Sequence, residues 1–224
     1  MVDADFSLPD VRTWIRGIPA LTGTPPPAPE HFPEKPGELF LDWLRAAVAF
    51  GVVEPHVCAL STVDGDGMPD SRFLILKDVT EGGFWFSGSA ASPKGVELKE
   101  NPRASLAFYW RETGQQVRIR GLVREGDDAI RTRDFVERSV TARAVATASK
   151  QSEVLEDSGA YETSVAAAEA RIGGDPGFVS KDWRAWCLEP ESVEFWQADS
   201  GRRHQRWLYR RGSDRAWTRA VLWP

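Results

Sequence analysis

An α+β fold built mainly of antiparallel β-strands with helices packed against them is predicted by three features of the 224-residue sequence. Short apolar runs alternate with turn signals over residues 57–124 and again over 183–222. A single strongly amphipathic helix precedes them, and a long helical stretch separates the two sets. Closely spaced strands of this kind pair their edges into a barrel-like or sandwiched sheet, because an open edge leaves unpaired N–H and C=O groups.

The elements follow in chain order. Residues 1–36 form an arm, combining an amphipathic piece from Val11 to Ile18 with a run around Pro25, Pro26, Pro27 and Pro29 that resists regular structure. Residues 37–224 then read as one domain. Leu39, Phe40, Trp43, Leu44, Ala47 and Val48 recur at helical spacing and predict a helix over 37–50 with one buried stripe. Strands are expected at 57–63, 70–77, 84–87, 103–110 and 115–124, with turns at 64–67, 80–83 and 111–114. Ser92-Pro93-Lys94 opens a short helix that Asn101-Pro102 stops. Residues 127–172 read as helical with a break at 149–152. Strands return at 183–188, 192–197, 206–210 and 216–222, with Arg211-Gly212-Ser213-Asp214 as a hairpin turn.

Composition narrows the function. With 28 basic and 33 acidic residues the net charge is −5, which argues against non-specific binding to nucleic acid or anionic membrane. No run approaches the ~18 apolar residues of a membrane span, and the first residues lack the regions of a signal peptide, so a cytoplasmic location is expected. Two cysteines and three histidines at unrelated spacing make a metal site improbable. Ten tryptophans exceed what a core of this size absorbs, so some should lie at an interface or against a ligand ring.

Neither common glycine-based phosphate cradle occurs, so a nucleotide would need arginine and lysine forks aided by a helix start. Ser92 and Lys94 stand at such a start. Arg72 and Lys77 flank the apolar F-L-I-L, although strict alternation sends them to opposite faces unless the backbone bends. On pattern alone the plainer reading is a strand whose ends reach solvent. Gln115 and Gln116 open a strand and can both donate and accept, but on the residues alone an ordinary solvent face is the plainer reading. Glu194 to Arg206 runs a tryptophan strand into a turn with three arginines and His204, which is either an anion clamp or a basic loop. Nothing resembles a nucleophile triad, so a cofactor would carry the chemistry.

Glu194, Phe195, Trp196, Arg202, His204 and Arg206 resemble the C-terminal signature of the pyridoxamine 5'-phosphate oxidase family. R-F-L-I-L-K, Ser92 with Lys94, E-N-P-R-A-S, the glutamine pair, S-K-Q-S and the final L-W-P follow the same family in order, over residues 39–224. The resemblance implies an FMN-binding split β-barrel, a homodimer with its dimerisation segment at 183–224, and two FMN sites at the subunit interface. It implies FMN contacts from Arg72, Ser87, Lys94, Gln116, Gln151, Ser152, Trp196 and Arg206. Arg202 and His204 become the catalytic, substrate-orienting pair, and Lys77 and Arg138 join them in binding substrate. The implied reaction passes a hydride from substrate to flavin N5, with O2 reduced to H2O2.

Departures from the pattern bear on the substrate. Enzymes of the vitamin branch hold the substrate phosphate with a lysine, a tyrosine, an arginine and a serine, where this chain has Lys77, Asp134, Arg138 and Ala142. Arg203 and Gln205 also replace signature residues. Y-W-R-E-T-G-Q-Q is similar to the phenazine-biosynthesis branch, so a reduced phenazine-type or other secondary-metabolite precursor is the expected substrate. Pyridoxamine or pyridoxine 5'-phosphate is the alternative, and a non-catalytic flavin-binding module the alternative of another class.

Overall fold

The computed structural model describes residues 8–23 and 25–224. The reading of the first six residues as lacking a leader, and Thr24 of the proline-rich run, lie outside them. Helix α1 (Leu8–Gly17) is followed by α2 (Pro36–Phe50), β1 (Val57–Val63), β2 (Pro69–Ile75), β3 (Asp78–Thr80), β4 (Gly83–Ser89), α3 (Pro93–Glu100), β5 (Arg103–Trp110) and β6 (Gln115–Glu125). Three helices, α4 (Asp128–Val136), α5 (Val140–Ala148) and α6 (Ser158–Gly174), lead into β7 (Trp183–Gln197), β8 (Gln205–Arg211) and β9 (Trp217–Val221).

All neighbouring strands are antiparallel, in the order β2-β1-β5-β6-β7-β4-β3, with β8 and β9 added beside β7. The first and last strands of that order are consecutive in the chain. Only Leu76 and Lys77 join them, with the Leu76 N–H donating to His56 O at 2.9 Å and the Lys77 N–H to Trp85 O at 2.8 Å. The sheet therefore wraps round on itself as a barrel, as the α+β reading expects.

β7 is one 15-residue strand where two were expected. Its first half pairs with β4 and its second with β8, while β6 runs along its other side. The change of partner falls around Pro190, which has no N–H to give a ladder. A register shift between Arg120 and Gly121 accommodates it, and a Cβ on Gly121 would lie 1.9 Å from Glu189 O, so only glycine fits.

The stripe of α2 enters the barrel as expected for Leu39, Phe40, Trp43 and Ala47; Val48 instead faces solvent. Phe40 packs edge-on to Phe84 and Phe108, and Trp43 to Phe195 and Trp207. Burial of each such side chain contributes roughly 1.5–3 kcal/mol. Pro36 starts α2 and Gly51, at φ +90°, ends it in the left-handed conformation.

The arm carries helix α1, and its proline-rich part lies along the β7–β9 end of the sheet. Gln197 Nε2 donates to Pro26 O at 2.6 Å, Tyr209 Oη donates to Pro33 O at 3.0 Å, and Phe32 packs on Trp207 beneath the Arg219 guanidinium. Of the ten tryptophans, Trp43, Trp110, Trp183, Trp186 and Trp207 are buried, while Trp223 is 90% exposed.

Candidate active site

A cavity of 1570 Å³ opens between β2, β4, the start of β7 and helices α3, α5 and α6. Arg72, Lys77, Ser87, Lys94, Arg138, Gln151 and Ser152 all line it. The conflict over Arg72 and Lys77 is resolved by the joint between β2 and β3, which bends the chain so that residues on opposite faces by strict alternation reach one space.

Each of these side chains is set by local structure. Lys94 sits in the first turn of α3, 6% exposed, and Nζ donates to Gln151 Oε1 at 2.8 Å and to Ser92 Oγ at 3.1 Å. Gly88 makes room for it, since a Cβ there would lie 2.8 Å from Lys94 Cε. Ser92 is the N-cap residue of α3 but makes no side-chain capping bond; its hydroxyl donates instead to Ser89 O at 2.6 Å in the loop before the helix. Burial, and next the Arg72 guanidinium, bring the Lys94 ammonium down to about 8. Two cations share one recess there, and the Glu97 carboxylate beside them acts in the opposite direction on Lys94.

Arg72 lies on the inward face of β2. Its guanidinium donates to Thr62 Oγ1, to Asp70 Oδ2 at 2.7 Å and to Glu97 Oε2 at 3.1 Å, and Thr62 in turn donates to Glu97. Thr62 and Glu97 are buried, so this network orients the guanidinium from behind. Neither residue was singled out from the sequence, because thirty-five positions separate them. Ser87 Oγ is buried with no hydrogen-bond partner among the described residues, although it faces the cavity. Such a hydroxyl calls for a ligand acceptor or donor.

The remaining predicted residues gather elsewhere. Gln116 stands opposite Trp196, and Trp196 opposite Arg206, across β6, β7 and β8. Arg206 donates to Glu194 Oε1 through Nε at 3.0 Å and NH2 at 2.8 Å, and to Trp223 O at 3.1 Å. Arg118 grips the other Glu194 oxygen. His204 packs on the Trp196 ring at 4.9 Å, and its Nδ1 accepts from the Asp199 N–H at 3.1 Å, which leaves Nε2 to carry the proton of the neutral ring. Arg202 is exposed at φ +62° in the turn before β8. None of these five lines the cavity. Trp183, which does, and Trp196 lie near opposite ends of β7, roughly 40 Å of strand apart at about 3.3 Å per residue.

Residues 44–172 match the family described as pyridoxamine 5'-phosphate oxidase. The chain belongs to that family. Residues 183–224 match the family's pyridoxine 5'-phosphate oxidase C-terminal dimerisation region, which here comprises β7, β8 and β9. The chain is 40% identical over 194 residues to a pyridoxine/pyridoxamine 5'-phosphate oxidase of Rhodopseudomonas palustris strain BisA53, covering 85% of this chain and 90% of that protein. Similar figures hold for the protein of that description from Nitrobacter hamburgensis, 40% identical over 193 residues, 85% and 90% covered. The fold superposes with a TM-score of 0.84 on PhzG from Burkholderia lata 383, solved in complex with tetrahydrophenazine-1-carboxylic acid, at 33% identity over 90% of this chain and all of that one.

As a member of this family the protein is an FMN-dependent oxidoreductase. The cavity suits that cofactor: Lys94 and Arg72 can meet a phosphate monoester, and the Ser87 hydroxyl, without a partner among the described residues, can bond a polar group. Among the described residues no group of histidine, cysteine or carboxylate side chains is placed to hold a metal, and no helix is long and apolar enough to cross a membrane. Both thiols are buried, and burial is the main reason Cys58 and Cys187 are pushed up to about 12.

Proposed function

We propose that the protein is a homodimeric oxidase that removes hydrogen from a reduced phenazine-type precursor, with O2 as acceptor and H2O2 as product, using FMN held between two subunits. The phenazine-type substrate is supported by the likeness to PhzG solved with tetrahydrophenazine-1-carboxylic acid, and the observation that carries the shared FMN site is the division of the FMN-type residues into two groups. The cavity supplies Arg72, Ser87, Lys94, Gln151 and Ser152, while Gln116, Trp196 and Arg206 belong to the far end of the sheet, the last two within the dimerisation region. A two-fold axis that sets the far end of one subunit beside the cavity of its partner would complete each site.

When bound, FMN supplies a hydride acceptor at N5 that O2 reoxidises. The chain's own residues do the rest. Arg72 and Lys94 neutralise the phosphate, with Ser87, Gln151 and Ser152 completing its polar shell. Glu194 holds Arg206 and Trp196 walls the ring. His204 presents its Nε2 proton, and Arg202 a charge, to orient the substrate beside Lys77 and Arg138. Enclosure by the second subunit excludes bulk water.

Purified protein should carry about one FMN per chain and release peroxide with tetrahydrophenazine-1-carboxylic acid. A colourless protein that takes up no added FMN defeats the reading. The second reading, oxidation of pyridoxamine or pyridoxine 5'-phosphate, is supported by the 40% identical relatives of that description and by Lys77 in the cavity. Turnover measured side by side on the two substrates decides between them.

A further inference from the structure

One corner of the cavity, where α4 and α5 meet the start of β7, departs from the phosphate-binding pattern in a structured way. Trp183 Nε1 donates to Asp134 Oδ2 at 2.7 Å. Over the same indole, at 4.4 Å, lies the Arg138 guanidinium. Phe135 supports the ring edge-on at 5.5 Å. Arg138 and Trp183 line the cavity, whereas Asp134 does not, and Arg138 Nε has no partner among the described residues. Ala142 and Val145 add only carbon to this lining.

We infer that Asp134 sets the charge selectivity of this corner: it pins the Trp183 indole beneath Arg138 and offsets that guanidinium, so the corner takes a flat aromatic ring bearing a carboxylate and disfavours a phosphate dianion. The inference rests on the proposed function, in which this side of the cavity receives the substrate. Three physical points support it. The Arg138 guanidinium, held over the buried indole at 4.4 Å and lining the cavity, is a planar cation against which an aromatic ring can pack. One carboxylate charge is matched by Arg138, whereas a dianion there meets the added repulsion of the nearby Asp134. Ala142 lacks the hydroxyl that a third phosphate oxygen would require. Burial depresses the Arg138 pKa, and the nearby Asp134 carboxylate opposes that depression.

A mere tether for the indole would need only an acceptor atom, which Asp134→Asn retains while removing the charge. FMN-loaded wild type and Asp134→Asn are therefore titrated with 1-naphthoate and 1-naphthyl phosphate, a pair matched in ring, and binding is read from the flavin absorbance. Wild type should bind the carboxylate at least about tenfold more tightly, and Asp134→Asn should narrow that ratio about tenfold. A ratio unchanged within twofold in the variant overturns the inference. Should the variant not fold, wild type alone decides: equal or tighter binding of the naphthyl phosphate overturns it. A protein that takes up no FMN sinks the oxidase reading and this inference together, whereas an FMN-loaded protein with the wrong ratio sinks the inference alone.

Discussion

Lys94 Nζ lies 2.8 Å from Gln151 Oε1, a bond that ties the first turn of α3 to the break between α5 and α6, fifty-seven positions later in the chain. It places an ammonium, depressed by burial and by Arg72, at the wall of the cavity.

FMN affinity should therefore depend on pH. Without ligand Lys94 titrates at about 8, and a phosphate beside it favours the charged form. Binding is then at full strength below pH 8 and weakens as pH rises past it. By proton linkage the dissociation constant at pH 9 should be about tenfold that at pH 7, as flavin fluorescence quenching can measure; a flat profile removes Lys94 from the phosphate site. The ligand-free fold behaves oppositely. Its Lys94 pKa lies below the unfolded value, so the unfolded chain binds more protons between about 8 and 10.5, and stability contributed by this group rises with pH across that window.

Arg206→Ala should weaken FMN binding by roughly 1.5–3 kcal/mol, the scale of one charged hydrogen bond. Glu194 keeps Arg118 as a partner, so the variant should still fold. Equilibrium dialysis of FMN checks the loss, and an unchanged dissociation constant contradicts the assignment.

Asp134→Tyr combined with Ala142→Ser should raise kcat/KM for pyridoxamine 5'-phosphate about tenfold, because it removes a negative charge and adds two hydroxyls, each hydrogen bond contributing about 1 kcal/mol. It also removes the acceptor of the Trp183 N–H. Steady-state peroxide assays report the result; no gain means that the charge of Asp134 and the missing hydroxyl at Ala142 do not limit turnover of the phosphorylated substrate.

Gly121→Val should destabilise the fold, since its Cβ would meet Glu189 O at 1.9 Å where β6 and β7 shift register. An overpacked site of this kind costs about 1–3 kcal/mol, a fall of roughly 2–12 °C in melting temperature for a chain of this size. Calorimetry tests it, and an unchanged melting temperature would mean that the strands can separate there without penalty.

Much of the architecture is legible in local pattern. The alternation of β1 and β6, the α2 stripe, and the proline and acidic starts of α3, α4 and α6 each depend on residues within one or two turns of one another. The family is likewise readable from short ordered motifs. What pattern reading divided at Pro190 is one strand, because continuity there depends on β6, whose residues lie some seventy positions earlier.

By itself, then, the sequence determined the class of fold, the family, and a set of cationic, amide and indole side chains suited to FMN. Only the tertiary structure decided how they group: the Leu76–Lys77 joint brings Arg72 and Lys77 to one cavity, and the length of β7 sends Trp196 and Arg206 to the other end of the sheet. It also decided the partner of Asp134, which bonds an indole forty-nine residues away. Periodicity and capping act between chain neighbours and can be read in one dimension. A carboxylate's partner is whichever donor the fold brings within about 3 Å, and that donor is chosen by the packing of the whole.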